Sequence, residues 1–386
     1  MNQVYITEIA AVLPNAPVAN NEMEAVLGQA GLSPSRARRI ILKSNGIRNR
    51  HYAIDPETGE RSHTNAQLTA EAVRALGKGT LERMDCLVCG TSLPDQLLPN
   101  HGVMVHGELG SPACEVVATA GVCLAGMSAM KYGWMGVASG VHDMVVATGS
   151  EVVSAIMRGK FFAPEAAASL NALDKRQEVA FEKDFLRWML SDGAGAVKME
   201  NRPATDGLSL RIDWIDIRSY ANQLEACMYA GARKREDGTL ESWKDLPPEV
   251  IQDESVFAIK QDVKLLNENI VTATVEQFLP DILGRRGISG DNYDWFLPHY
   301  SSGFFRQRLY DGMERVGFTI PFERWATNLT DKGNTGSASI YIMMEELFHS
   351  GRLSQGEKIL CYVPESGRFS SCFMQLTVCG PGAGDA

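Results

Sequence analysis

The chain has 386 residues, of which 45% are hydrophobic and 22% charged. Those values sit near the globular average, which excludes a mainly disordered or fibrous polymer and allows a large core; at ~150 residues per domain the length predicts two or three domains. A net charge of −10 argues against non-specific nucleic-acid binding, which needs clustered positive charge.

In chain order, residues 1–18 lack a basic leader and Glu8 interrupts their apolar run, so no signal peptide is expected. Residues 68–76 read as a helix, 86–89 as a strand, 97–109 as a helix and 114–118 as the next strand. A small-residue helix covers about 123–140, and 143–148 follows as a strand. The apolar run 116–130 falls short of the ~20 residues that span a bilayer. This β/α alternation predicts parallel sheets covered by helices, and the 123–140 helix, apolar on nearly all sides, belongs at the centre.

Residues 201–260 are charged and irregular, with Arg233-Lys234-Arg235-Glu236-Asp237-Gly238 and Pro247-Pro248, and read as an excursion or cap between two α/β halves. A helix resumes at Val263. Strands at 295–297 and 325–328, helices after Ser302 and over 337–349, and strands at 358–363 and 372–378 complete the order. The tail, 380–386, is small and polar and reads as mobile.

Eight cysteines are scattered, and with no signal peptide expected they read as reduced thiols in a cytoplasm. Cys86 and Cys89 form a Cys-x-x-Cys, but on a short buried strand without a second pair, so no metal site is expected. Cys123 follows a strand and opens a helix, where peptide dipoles favour a thiolate. His299 stands just past a strand end, where α/β proteins place reactive groups. Asn334, in Gly333-Asn334-Thr335-Gly336-Ser337, offers a fixed amide donor. Cys, His and Asn suit acyl-thioester chemistry with donors on an oxyanion; a Cys/His protease would use the same residue types differently, and the letters leave both open.

These motifs, in order, resemble the ketoacyl-acyl-carrier-protein synthase III branch of the thiolase superfamily. Ser44-Asn45-Gly46-Ile47-Arg48-Asn49-Arg50-His51 resembles its early Gly-Ile-Arg segment, and Met84 through Thr91-Ser92 its Thr-Ser strand. Cys123-Leu124-Ala125-Gly126 resembles the nucleophile turn, and Ser191-Asp192-Gly193-Ala194-Gly195-Ala196 the Gly-Asp-Gly loop. Pro298-His299 and Gly333-Asn334-Thr335 complete the set.

The resemblance implies an α/β fold of five layers, α-β-α-β-α, in two pseudo-symmetric halves: 1–200 with the Cys, and 261–386 with the His and Asn, separated by the 201–260 excursion. It also implies a cytoplasmic homodimer without a cofactor or membrane span. In the implied reaction Cys123 accepts an acyl group from coenzyme A or acyl carrier protein. His299 and Asn334 then support decarboxylation of a malonyl-type extender, in fatty-acid or secondary metabolism.

Departures from the family pattern point to the substrate. Ile40 and Ser44 stand where an aromatic and an Arg hold coenzyme A, and Leu98 replaces a gate aromatic, which favours carrier-bound or longer donors over acetyl-CoA. Pro364-Glu365-Ser366-Gly367-Arg368-Phe369 replaces a Gly-rich loop, with Gly367 and Phe369 expected at the substrate. That variant and Asn65-Ala66-Gln67 resemble ketosynthases that join two β-ketoacyl or enoyl chains into a resorcinol or cyclohexanedione. A non-catalytic partner subunit on the same fold is the remaining alternative. Arg306 and Arg308 are the expected carrier-docking residues, with Arg233, Lys234 and Arg235 as second choice.

Overall fold

The computed structural model describes residues 1–29, 38–162 and 185–382. Period-two apolar runs form nine strands of one sheet. They are β1 (Tyr5–Val12), β2 (Cys86–Thr91), β3 (Glu115–Ala120), β4 (Met144–Glu151), β5 (Gly193–Glu200), β6 (Ser209–Ser219), β7 (Trp295–Pro298), β8 (Lys358–Glu365) and β9 (Ser370–Cys379). The spatial order is β7-β8-β9-β6-β1-β5-β4-β2-β3. Strands joined through helical crossovers, β2 with β3 and β4 and β7 with β8, pair in parallel. The remaining pairs are antiparallel, so the sheet is mixed rather than parallel. The β8–β9 hairpin is too short for a crossover, which a parallel pair requires.

Seven helices matter for the site: α1 (Asn65–Ala75), α2 (His101–Leu109), α3 (Ala125–Ser139), α4 (Val263–Val271), α5 (Leu279–Arg286), α6 (Phe304–Arg315) and α7 (Ser339–Phe348). Alternation along the strands assigns each face. On β2, Leu87 and Cys89 pack with Leu68 of α1 and Val105 of α2, whereas Cys86 and Val88 pack with Met127 of α3 and Met343 of α7. On β8, Ile359 and Cys361 join that same inner cluster, while Leu360 and Tyr362 face Leu266, Ile282 and Leu309 of α4, α5 and α6. The succession is α1/α2, strands, α3/α7, strands, α4–α6, the expected five layers. The same alternation puts Cys86 and Cys89 on opposite faces, so the Cys-x-x-Cys is no chelating pair.

The two halves are joined along the sheet at β1 and β6, where Tyr5 pairs with Arg211 and Ile6 with Leu210 and Ile212 N–H donates to the Val4 carbonyl at 2.9 Å. Close approach in the middle layer needs a glycine: a Cβ on Gly126 would lie 2.4 Å from the Ser337 carbonyl oxygen. Within 201–260, residues 209–219 are therefore no part of a cap; they form a central strand with buried Leu210, Ile212 and Trp214. In the charged remainder, Ala232–Lys234 pairs antiparallel with Leu240–Ser242.

The strand expected at 325–328 is absent. A single bridge joins Trp325 to Phe296, because the chain turns through Phe322–Arg324 and enters the short helix Leu329–Lys332. Of the tail expected to be mobile, residues 383–386 lie outside the described residues. Among the described residues, no helix is long and apolar enough to cross a membrane.

Candidate active site

The turn after β3 carries Cys123. Leu124 caps α3, whose first helical residue is Ala125, and Thr119 Oγ1 donates to the Ala125 carbonyl at 2.8 Å, tying strand to helix. The thiol is 6% exposed. Burial first, then the carboxylates of Glu151 and Glu365, push it well above the usual thiol range. The expected dipole activation is therefore not what dominates. Cys123 lies outside the first helical turn, where that effect fades, and desolvation wins, so the resting thiol is protonated.

His299 directly follows β7, and its N–H donates to the Tyr362 carbonyl at 2.8 Å. Burial lowers its imidazole to about 4, so it is neutral at physiological pH. Asn334 is held by its backbone: its N–H donates to Met189 O at 3.0 Å, and its carbonyl accepts from Ser191 N at 2.8 Å. Gly333 has φ +72, and a Cβ there would lie 2.9 Å from Ser191 Cβ, so this close approach requires glycine. Asn334 Oδ1 accepts from Gly336 N at 3.0 Å, which fixes the amide so that its N–H₂ end remains for another partner.

Two cavities meet at Cys123. The first, with about 500 Å³ of empty space, is lined by Cys123, Asn334, Glu151, Ser92, Met189 and Gln261 among others. The second, with about 420 Å³, is lined by His299, Leu266, Ile270, Phe305 and Leu309 beside Cys123. Ser301 and Ser366 border both. A thiol is thus flanked by an amide donor on one side and a neutral imidazole on the other, in mostly apolar surroundings where dipoles act strongly.

The other expected site residues stand apart from these walls. Phe369 is fully buried in the outer core with φ +61. The Gly367 carbonyl accepts from the N–H groups of Cys227 and Met228, so it anchors the excursion. It is Ser366 that reaches the cavities. Leu98 is 85% exposed, and Ile40 and Ser44 are exposed on one short helix. Arg306 and Arg308 are exposed on α6, stacked over Phe322 at 4.0 Å and Phe304 at 4.2 Å. Neither has a carboxylate partner among the described residues. Arg233, Lys234 and Arg235 instead pair with Glu241, Glu254, Glu225 and Asp262. Sequence reasoning missed Glu151 and Ser337; the sole signal was an acid closing an otherwise apolar strand, Met144–Glu151.

Residues 283–368 match the family 3-oxoacyl-[acyl-carrier-protein] synthase III C terminal, a stretch that includes His299, Asn334 and Ser366. Over nearly the whole chain, the β-ketoacyl-[acyl-carrier-protein] synthase III of Xanthomonas oryzae pv. oryzae is 25% identical across 357 residues, 92% of each protein. The chain is similar to ketosynthase III proteins along nearly its whole length.

Solved structures share the fold of this ketosynthase III-like chain. AbyA1, a tetronic acid condensing enzyme, superposes with a TM-score of 0.74 at 20% identity, covering 97% of this chain and 99% of that one. The 3-oxoacyl-(acyl carrier protein) synthase III of Pseudomonas aeruginosa PAO1 gives 0.70 at 18%, covering 97% and 98%. A Xanthomonas campestris OleA variant, solved with lauric acid and lauroyl-CoA, gives 0.71 at 18%, covering 98% and 99%. In that fold the first half supplies the Cys123 turn and the second the His299 and Asn334 turns, which line the two cavities that share Cys123.

Proposed function

We propose that this protein is a 3-oxoacyl-[acyl-carrier-protein] synthase III-like condensing acyltransferase. The observation that carries the reading is Cys123 at the junction of two cavities, with Asn334 in one and neutral His299 in the other. In the first half-reaction Cys123 sulfur attacks a thioester carbonyl, the carbon–sulfur bond to the donor breaks, and the departing thiol takes the proton. In the second, loss of CO₂ from a malonyl thioester leaves an enolate held by the His299 and Asn334 donors; its carbon attacks the acyl-Cys123 carbonyl, the carbon–sulfur bond breaks, and sulfur keeps the electron pair.

The acyl-carrier-protein in the relatives' names supports a carrier-bound donor, as do Arg306 and Arg308, which have no carboxylate partner among the described residues. A homodimer is supported by the half-exposed edge strand β3 and by Leu97 and Leu98, exposed at 75% and 85%. A second reading, joining of two β-ketoacyl or enoyl chains, is favoured by the apolar wall of the second cavity, built from Leu266, Ile270, Phe305 and Leu309.

The test is stepwise. Incubation with a fatty-acyl thioester should add one acyl mass to the Cys123 peptide, and addition of a malonyl thioester should then release CO₂ and a longer β-ketoacyl product. Absence of the Cys123 adduct with both carrier-bound and coenzyme A donors would overturn the proposal.

A further inference from the structure

Cys86 opens β2, Glu115 opens β3, and the two are lateral neighbours in that parallel pair. His142 lies in the turn between α3 and β4. Three adjacent segments thus bring a thiol, a carboxylate and an imidazole to one corner of the sheet. Cys86 Sγ, a Glu115 carboxylate oxygen and a His142 ring nitrogen all lie within 4.8 Å of one another, and His142 Nε2 stands 3.2 Å from Glu115 Oε2. With bonds of about 2.1 Å to nitrogen or oxygen and about 2.3 Å to sulfur, a tetrahedral zinc ion sets its ligand atoms about 3.4–3.6 Å apart.

We propose that these side chains form a metal site for a borderline-soft divalent cation, zinc above all, held by Cys86 Sγ, Glu115 Oε2 and a His142 imidazole nitrogen, with water in the fourth position. The site is separate from the acyl chemistry, for none of its residues lines either cavity. On binding, the Cys86 proton leaves to solvent, the sulfur pair binds the ion, and neutral His142 supplies a nitrogen pair. The ion clamps the first residues of β2 and β3 to the turn before β4, at the end of β3 away from Cys123.

The ligands are held in place by the fold itself. Asp85 ties all three segments: its carbonyl accepts from Glu115 N at 3.0 Å, its N–H donates to Met144 O at 3.0 Å, and its carboxylate accepts from Asp143 N and Met144 N, each at 2.9 Å. Tyr132 of α3 donates to Glu115 Oε1 at 2.5 Å, the kind of outer support that orients a metal-binding carboxylate, and leaves Oε2 toward His142. Gly136 makes room for the imidazole, since a Cβ there would stand 2.8 Å from His142 Cδ2.

Charge favours a cation as well. Among the described residues His142 is the one ion-pair partner of Glu115, and Asp85 and Asp143 have none. Burial first, then Glu115, Cys114, Cys89 and Asp85, lift the Cys86 thiol to about 12, a cost that a bound dication reverses. Cys86 is fully buried but Glu115 is exposed, so the ion has a route from solvent to sulfur. Cys89 and Cys114 pack in the α1/α2 cluster instead. The Cys-x-x-Cys therefore contributes one ligand and not two.

The experiment strips the full-length protein with a chelator, then titrates it with zinc against a chromophoric competitor and, separately, with cobalt(II). Wild type should take one zinc per chain, with an apparent affinity rising about tenfold per unit from about pH 7 to 9, because each ion displaces one thiol proton. Cobalt should give the near-ultraviolet charge-transfer band of a thiolate-bound ion. Cys86→Ala should lose that band, and Glu115→Gln and His142→Gln should each weaken zinc binding at least about tenfold. His142 lies on a half-buried turn, so its variant tests the site even if the buried Cys86→Ala fails to fold. Cys89→Ala and Cys114→Ala should bind as wild type does. Substoichiometric zinc in wild type, or unchanged affinity in His142→Gln, would overturn the proposal. So would a cobalt band that survives Cys86→Ala, which would place the ion on another thiol such as Cys123.

Discussion

Ser337 Oγ donates to Glu151 Oε1 at 2.8 Å, a bond across 186 residues that locks the turn carrying Asn334 to the end of the strand beside the Cys123 turn. Gly336 makes this possible: with φ +55, a Cβ would stand 2.7 Å from Glu151 Cγ. The buried carboxylate thus adds a tie between the two turns to the backbone bonds that hold Asn334 to Met189 and Ser191.

Acylation should be confined to Cys123. It opens on both cavities, whereas the more accessible Cys114 lines neither. Peptide mass spectrometry after an acyl-thioester pulse should find one adduct, on Cys123, and Cys123→Ser should abolish turnover. An adduct on Cys114 in place of Cys123 would contradict the assignment.

Asn334→Ala should slow condensation by ~100–1,000-fold, the usual cost of one lost oxyanion donor, while leaving the acyl adduct detectable. Asn334→Asp should be slower still, because it adds a carboxylate to a cavity that already holds Glu151. Rapid-quench measurement of the two half-reactions separates these effects; equal loss in both would count against the division of labour.

Stability should fall as pH rises through Glu151. Its folded carboxyl is raised from 4.5 to about 7, so between those values the native state holds a proton that the unfolded chain has released. The unfolded state binds fewer protons, and the unfolding free energy declines with pH over that window. Glu151→Gln removes this liability. Thermal melts should show the variant gaining on wild type at pH 8 relative to pH 5, and an unchanged difference would mean the carboxyl titrates as in the unfolded chain.

The carrier-docking reading separates two basic groups. Arg306→Glu combined with Arg308→Glu should raise the KM for an acyl-carrier-protein donor severalfold and leave a pantetheine thioester unaffected, with the carrier reaction weakening as salt shortens the ~10 Å screening length at 0.1 M. Arg233→Ala with Arg235→Ala should matter little, since both side chains are already paired with Glu241. Steady-state kinetics with both donors check each pair.

The layers and the three turns were legible because their signals are local. Strand runs such as Cys86–Thr91 end in Gly, Ser or Thr, and the small-residue helix after Cys123 could only be central. Pairing direction was not legible, because β1 finds its neighbours nearly the whole first half of the chain away. Nor was the raised thiol pKa: it comes first from burial and then from Glu151 and Glu365, which approach from distant segments. Gly367 and Phe369 were misplaced by one turn geometry, in which Glu365 accepts from Gly367 N, Arg368 N and Ser370 N and leaves Ser366 facing inward.

The place of β1 has a consequence for synthesis. Residues 5–12 sit between strands formed by residues 193–200 and 209–219, so during synthesis this segment waits for partners made almost 200 residues later. At ~5–20 residues per second that interval lasts roughly 10–40 s. During that time a β-rich N-terminal segment has no edge to pair with, and long-range pairing of this kind slows folding. The yield of native protein should therefore depend on translation speed and chaperone supply, and a short N-terminal deletion should remove the middle of the sheet rather than trim its rim.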